Sequence, residues 1–320
     1  MGSRGRRAVG NGAGQEHALA HCARRPRRRL ILRPLCPRAY FRQFDERRLF
    51  LHPAPMIRAV LLDLAGVVYD GDTPIAGAVA AVERLRKAGL PLRFVSNTTR
   101  SPRHKIIAQL AALGVEASDE ELLTPARAAV EWLRRHGRQP HLLVHPNLEA
   151  EFTGSEGGKS RAVVVGDAGE AFDYAGLNRA FRELVAGADF LALATNRTFK
   201  DADGQLSLDA GAFVAALEFA SGRSPIVLGK PSPDFFLAAL GDLNCSAADA
   251  VMVGDDAESD VAGALSAGLG AGLLVRTGKY CPGDETRFDP PPTALVDDLA
   301  AATDWILKAR RTEADSGDAL

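Results

Sequence analysis

The sequence predicts an α/β fold, a doubly wound parallel sheet with a second α/β unit inserted into it. Three observations predict it. From Met56 onward, short apolar runs alternate with amphipathic segments closed by glycine. A similar alternation fills the chain from about residue 225. A third, from about 124 to 224, lies between them, with few candidate chemical groups of its own. Strands and helices in alternation imply parallel strands joined by right-handed crossovers.

Taken in order, "IRAVLLDL" reads as a buried strand and "AGAVAAVERLRKAG" as a helix closed by Gly89. "PLRFVSN" is the next strand and "SPRHKIIAQLAALG" a helix closed by Gly114. These make the first part of the core, residues 56–123. The inserted unit, residues 124–224, contains "TPARAAVEWLRRHG", "HLLVHPN", "RAVVVGD", "YAGLNRAFRELVAG", "DFLALAT" and "AGAFVAALEFASG", enough for a domain of roughly 100 residues. The core resumes over 225–310 with strand "PIVLG", helix "SPDFFLAALGDL", strand "DAVMVGDD", helix "ESDVAGALSAG" and strand "GLLVRTG", all expected to join the first sheet. Residues 311–320 end in the polar "EADSGDAL" and are expected to fray.

With 320 residues, 46% hydrophobic and 25% charged, the chain can bury a substantial core. No apolar run approaches the roughly 18 residues of a membrane span. Cys22, Cys36, Cys245 and Cys281 have neither metal-ligand spacing nor disulfide-scaffold density, which fits a reducing cytoplasm. The net charge of -1 conceals an asymmetry: residues 1–55 carry 13 Arg, no Lys and three acids, while the remainder holds 26 basic against 37 acidic groups. The basic segment lacks apolar periodicity and is expected to be a disordered extension. A basic arm for nucleic acid or an Arg-rich transit peptide is the lesser reading of this segment, and no nucleic-acid partner is expected; fold reasoning starts at Met56, directly before the first convincing strand.

Four strand ends carry the candidate chemistry. Asp63 closes the first strand in "LLDLAGVVYDGD". Ser96 and Asn97 follow the second, beside a helix start that favours anions. Lys230 in "VLGKPSPDFF" follows another strand, and Asp255, Asp256 and Asp260 in "VMVGDDAESD" cluster after a fourth. Singly, each has a plain structural explanation: a strand-ending Asp, a helix cap, a solvated lysine, a capped helix start. Together they suit phosphate chemistry, because clustered carboxylates stay ionised cheaply only around a cation. A hard divalent ion such as Mg²⁺ fits oxygen ligands from Asp63 and Asp255.

The order Asp, Ser, Lys, Asp-Asp on strand ends resembles the four motifs of the haloacid dehalogenase superfamily. With "SNTTRSP" and the inserted α/β unit, the likeness narrows to members with a Rossmann-like core and a type C2 cap, and covers residues 57–310. Within them, "VVGDAGEAFDYAGLNRAF", "FKDADGQLSLDAGAFVAALEFASG" and "VRTGKYCPGDE" are similar to phosphatases of pyrophosphate, phosphohistidine and phospholysine. The resemblance implies that Asp63 is the nucleophile, that Ser96 and Asn97 bind phosphate oxygens, and that Lys230 holds nucleophile and phosphate together. It implies Mg²⁺ ligation by Asp63, the Ala65 carbonyl and Asp255, with Asp256 or Asp260 acting directly or through water. It also implies a small phosphorylated substrate and a homodimer through the caps.

One position departs from the pattern. Most phosphatases of the superfamily have a second Asp two residues after the nucleophile, to protonate the leaving group; here that residue is Ala65. General acid catalysis is worth about 10²- to 10⁴-fold, so its loss favours good leaving groups: pyrophosphate, phosphoramidates, aryl phosphates. A second expectation is a weak enzyme that binds Mg²⁺ and a phosphorylated ligand or partner in a regulatory role. Asp70 and Asp72 are the nearby replacement acids, although they read more simply as turn residues. Asn196, Arg197 and Lys200 are placed to touch a leaving group from the cap.

Three other signals are set aside. "GSEGGKS" lacks the first glycine of a phosphate loop and precedes a strand. His141 and His145 on one strand would lie about 13 Å apart. "GLGAG" joins a helix to a strand, the wrong context for a dinucleotide fingerprint.

Overall fold

The computed structural model describes residues 56–155, 157–200, 205–241 and 243–317. The expected basic extension, residues 1–55, lies outside them, as do the last three residues of the expected tail. Strand β1 (Ala59–Asp63) leads to a small hairpin, β2 (Tyr69–Asp70) with β3 (Thr73–Pro74). Helix α1 (Ala78–Lys87), β4 (Leu92–Val95), α2 (Arg103–Ala112) and β5 (Leu122–Leu123) follow. Then come α3 (Pro125–His136), β6 (Arg138–Leu143), β7 (Ser160–Val165), α4 (Tyr174–Val185) and β8 (Asp189–Ala192). A second hairpin, β9 (Thr198–Lys200) with β10 (Leu206–Leu208), precedes α5 (Ala210–Ser221) and β11 (Ile226–Val227). The chain ends with α6 (Pro233–Leu240), β12 (Ala250–Gly254), α7 (Gly263–Ser266), β13 (Ala271–Val275), β14 (Ala294–Val296) and α8 (Leu299–Gly317).

The large sheet has the order β14-β13-β12-β1-β4-β5, with every pairing parallel. Numbered among themselves along the chain, its strands run 3-2-1-4-5-6, the doubly wound order. Its central strands are buried along their whole length and mostly apolar, since both faces are covered. In β1, Val60 and Leu62 enter the cluster with Val82, Leu85 and Ile306, while Ala59 and Leu61 enter the one with Phe235, Phe236 and Leu240. Period-two alternation thus divides one unbroken apolar run between two cores.

The inserted unit is the C2-type cap, a second parallel sheet of order β11-β8-β7-β6. It alternates in the same way: Ala162 and Val164 face the cluster with Leu133 and Leu148, and Val163 and Val165 face the one with Ala180, Leu184 and Leu217. Local chemistry starts its helices. Thr124 accepts a hydrogen bond from the Arg127 N–H with Pro125 in the first turn, Asp173 accepts from Gly176, and Asp209 accepts from Ala210.

Two expectations need correction. "PIVLG" does not join the large sheet: Ile226 and Val227 pair with Leu191 and Ala192, so β11 is the cap sheet's edge. The chain returns to the core only after β11, at the loop that carries Lys230. The polar end is also not wholly frayed, since α8 runs to Gly317. Among the described residues, no helix is long and apolar enough to cross a membrane.

Candidate active site

Sheet register brings the chemistry together. Asp63 is opposite Val95, so Ser96 lies one residue past that rung, and Leu62 is opposite Val253, so Asp255 lies just beyond on the other side. All three leave the carboxyl edge around β1, where the strand order reverses. Open α/β sheets place their ligand crevice at such a point.

Lys230 reaches this edge from the cap side. Its Nζ lies 2.5 Å from Asp63 Oδ1 and 2.6 Å from Asp260 Oδ1. The three residues are buried, with Lys230 only 3% exposed. Burial pushes the ammonium pKa down, but the charges of Asp260 and Asp63 push it up further, so the lysine stays protonated. Burial also raises the Asp260 carboxyl, against the pull of Lys230.

Asn97 is engaged with the loop that carries Lys230. Its Nδ2 donates to the Lys230 carbonyl at 2.8 Å, and its Oδ1 accepts from the Lys230 N–H at 2.8 Å. Both ends of the amide therefore grip the Lys230 backbone, making Asn97 a positioning residue. Ser96 is buried and accepts from the Thr98 N–H at 3.3 Å, so its hydroxyl proton is not used in that bond.

Asp255 lies between two glycines. A Cβ on either Gly66 or Gly278 would collide with Asp255 Oδ2, and both glycines have positive φ, +85° and +66°. Thr277 Oγ1 donates to the Gly66 carbonyl at 2.5 Å, and the Lys279 N–H donates to Asp255 Oδ2 at 2.8 Å. Burial and the charge of Asp63 push the Asp255 carboxyl up to about 6. A Cβ on Gly254 would likewise strike Asp260. Backbone without side chains thus lets the carboxylates close up.

Asp256 stands apart from this group. Its Oδ1 accepts from the Glu258 and Ser259 N–H groups at 3.1 and 2.9 Å, capping the π-helical turn Ala257–Ala262. Its Oδ2 lies 3.5 Å from Lys279 Nζ. Of the two candidates for the outer metal position, the geometry gathers Asp260 with Asp63 and Asp255 and gives Asp256 a capping role.

Ala65 is exposed at the site's edge. The neighbouring turn bonds run from Gly66 N–H to Tyr69 O and from Tyr69 N–H to Leu64 O, which leaves the Ala65 carbonyl out of them. Asp70 and Asp72 are exposed in the β2–β3 hairpin, as turn residues would be. Tyr69 is no substitute base: burial, with Asp63's charge, pushes its phenol up to about 12.

In the cap, the Asn196 and Arg197 carbonyls accept from Gly211 and Asp209 N–H groups, fixing the start of α5, and Lys200 pairs with Leu206 in the β9–β10 hairpin. Sequence reasoning missed Arg100. Its Nε is hydrogen-bonded to the cap residue Asp167, and its guanidinium lies 4.3 Å from the centre of the Phe199 ring. "SNTTRSP" exposed the residue, but only the folded chain shows the cap carboxylate opposite it. His141 lies in β6, while His145 caps the turn Pro146–Phe152; "GSEGGKS" leads into β7. A cavity of about 990 Å³ between α3 and α6, lined in part by Trp132, Leu228 and Phe235, contains none of the clustered acids.

The donor set fits a hard divalent cation. Asp63, Asp255 and Asp260 each offer a carboxylate oxygen within 4.8 Å of the others. All are buried, and Lys230 alone cannot neutralise three carboxylates. Asp260 Oδ1, although beside Lys230, lacks a well-directed hydrogen bond. An all-oxygen set of this kind suits magnesium or calcium better than softer metals.

Two family models match the chain: haloacid dehalogenase-like hydrolase over residues 60–171, and HAD-hydrolase-like over 227–302. Phospholysine phosphohistidine inorganic pyrophosphate phosphatase of Danio rerio is 43% identical over 260 residues, covering 79% of this chain and 96% of the relative. Haloacid dehalogenase-like hydrolase domain-containing protein 2 of Rattus norvegicus is 41% identical over 253 residues, covering 79% and 97%. Among solved structures, 4-nitrophenylphosphatase from Thermotoga maritima is 26% identical with a TM-score of 0.70, covering 79% of this chain and 98% of that one. Glycerol phosphate phosphatase from Mycobacterium tuberculosis in complex with magnesium is 29% identical with a TM-score of 0.67, covering 78% and 77%.

Replacing Lys230 by Met leaves buried carboxylates without their cation, which costs about 3–5 kcal/mol. Urea unfolding in chelator at pH 7.5 is expected to show that loss, shrinking as the pH falls and the carboxylates take up protons; a loss below about 1 kcal/mol would contradict the buried-pair geometry. Because Asp255 is raised to about 6, protons compete with a divalent cation below that pH. Calorimetric Mg²⁺ affinity is expected to fall there by up to about tenfold per pH unit; constant affinity from pH 7.5 to 5 would exclude Asp255 as a ligand.

Proposed function

The chain belongs to the haloacid dehalogenase-like hydrolase family, and we propose that it is a Mg²⁺-dependent phosphatase that acts through Asp63 and favours labile phosphoryl bonds. The observation that carries this reading is the buried Lys230 shared by Asp63 and Asp260, with Asp255 alongside and a methyl group at position 65. Relatives at 41–43% identity over most of the chain bear the name of a phospholysine, phosphohistidine and pyrophosphate phosphatase, which supports the same substrate class.

Phosphoryl transfer depends mainly on alignment and charge stabilisation. Asp63, held by Lys230, attacks phosphorus; its P–O bond forms as the bond to the leaving group breaks, giving an aspartyl phosphate. Water then attacks phosphorus as the bond to Asp63 breaks, which regenerates the carboxylate; with no acid or base side chain at position 65, the proton of the water passes to an oxygen of the departing phosphate. Lys230 orients the nucleophile and offsets the repulsion between carboxylate and phosphate, while Asn97 keeps the lysine loop in place and Ser96 presents its hydroxyl to the phosphoryl oxygens. Asp63, Asp255, Asp260 and the Ala65 carbonyl would hold Mg²⁺, which supplies further neutralisation of the phosphoryl charge.

Ala65 sets the substrate class. With no side-chain acid at this position, an alkoxide departs slowly, whereas phosphate, an aryl oxide or the amine of a phosphoramidate already protonated on nitrogen departs without one. The free thiols Cys245 and Cys281, and a described chain without a membrane-crossing helix, support a cytoplasmic protein. Leu206 and Leu208 on β10 are 74% and 64% exposed and Phe219 on α5 is 92% exposed, supporting a homodimer through the caps.

Assays with Mg²⁺ are expected to show turnover of pyrophosphate, phosphohistidine and p-nitrophenyl phosphate at least about 10²-fold above an alkyl phosphate. Asp63→Asn should abolish all of it, and Ala65→Asp should raise alkyl phosphate turnover by about 10²-fold. Equal turnover of all four would overturn the leaving-group reading. Folded, Mg²⁺-binding protein that neither turns over nor labels at Asp63 would instead be the regulatory binder, a reading that Ala65 favours. Light scattering is expected to give the mass of a dimer, shifting to the monomer on Leu206→Lys and Leu208→Glu together; a monomeric wild type would exclude the cap interface.

A further inference from the structure

We propose that Lys279 binds the leaving group, making the site selective for substrates whose leaving group carries anionic oxygens besides the one that departs, with the second phosphate of a diphosphate as the simplest case. The proposal rests on the phosphohydrolase reading and adds a specificity residue to it.

Two ammonium groups serve this edge, and they differ sharply. Lys230 is 3% exposed, and its nitrogen is engaged by Asp63 and Asp260. It forms the floor of the site. Lys279 has a fixed backbone and a free-standing side chain. Its N–H is bound to Asp255 Oδ2 at 2.8 Å, while its side chain is 70% exposed and its ammonium meets Asp256 at 3.5 Å. That contact is long for a charged hydrogen bond, and an ammonium has three donors. Among the described residues, Asp256 is the one side chain that meets this ammonium, which leaves donors for a ligand.

The position of Lys279 follows from a close backbone contact. A Cβ on Gly278 would lie 2.6 Å from Gly66 Cα, and Thr277 ties the same two loops together through the Gly66 carbonyl. Ala65 and Lys279 each lie one residue from that contact, so both belong to the same rim. In-line displacement sends the leaving group away from Asp63, outward from the floor. The rim is thus where it departs.

The identity of residue 65 completes the case. A carboxylate there would repel an anionic leaving group whenever it was ionised; a methyl group does not. As the bond from Asp63 to phosphorus forms, the electron pair of the breaking P–O bond goes to the leaving phosphate oxygen, which departs as an anion. No proton is needed, and Lys279 pairs with the charge.

The test compares wild type, Lys279→Met and Lys279→Arg with Mg²⁺ present. All three retain the backbone N–H that supports Asp255. Calorimetry measures imidodiphosphate, which resists hydrolysis, and inorganic phosphate, which occupies only the transferring position. Lys279→Met is expected to weaken imidodiphosphate at least about tenfold more than phosphate, the usual scale for a hydrogen bond to a charged group. Lys279→Arg should recover most of the loss, and the ratio of kcat/KM for pyrophosphate over p-nitrophenyl phosphate should follow the same order. Equal weakening of both ligands, or of neither, would overturn the proposal. A wild type that turns over nothing while Lys279→Met still loses imidodiphosphate selectively would sink the phosphohydrolase reading and leave Lys279 as the contact to the second phosphate.

Discussion

A single buried cation organises this molecule. Lys230 sits almost out of solvent between Asp63 and Asp260, which come from chain segments far apart in sequence. Removing three charges from water is costly, and their attraction compensates only if the geometry is held closely. Much of the surrounding structure serves that need. Asn97 grips both backbone polar groups of Lys230, Gly254 leaves room for Asp260, and β1 fixes Asp63 in the centre of a sheet covered on both faces.

The same constraint explains where the inserted unit returns to the core. The last cap strand, β11, ends only three residues before Lys230. The cap sheet and the buried lysine are therefore covalently close, and Arg100 with Asp167 joins the two units again from the first half of the chain. Any shift of the cap relative to the core acts on the position of Lys230 and on the mouth of the site together.

Asp63 and Asp255 stood out in the sequence because each ends or follows an apolar run that reads as a buried strand, and Lys230 because it follows a third apolar run, although that run proves to be a partly exposed edge of the cap sheet. The positioning role of Asn97 did not. An amide beside a serine reads as a phosphate ligand, and its grip on the Lys230 backbone, a contact that spans 133 positions, appears only in the fold. The sheet membership of β11 was hidden for a similar reason: two residues of strand carry too little pattern to tell which of two adjacent sheets they extend. Asp256 and Asp260 could not be ranked by spacing alone, since one caps the turn that turns the other inward. Gly66 and Gly278 are ordinary turn glycines in the sequence; only the carboxylate packed between them gives them a function.

The two glycines that enclose Asp255 leave no room for any side chain, whereas the neighbouring position 65 opens to solvent. Constraint thus changes abruptly between two adjacent residues, 65 and 66. A lineage carrying this fold can exchange residue 65 without disturbing packing, and so can gain or discard an acid while its metal-binding scaffold stays intact. Side-chain chemistry at position 65 is separable from architecture, and the gain of an acid there lies within reach of a single codon.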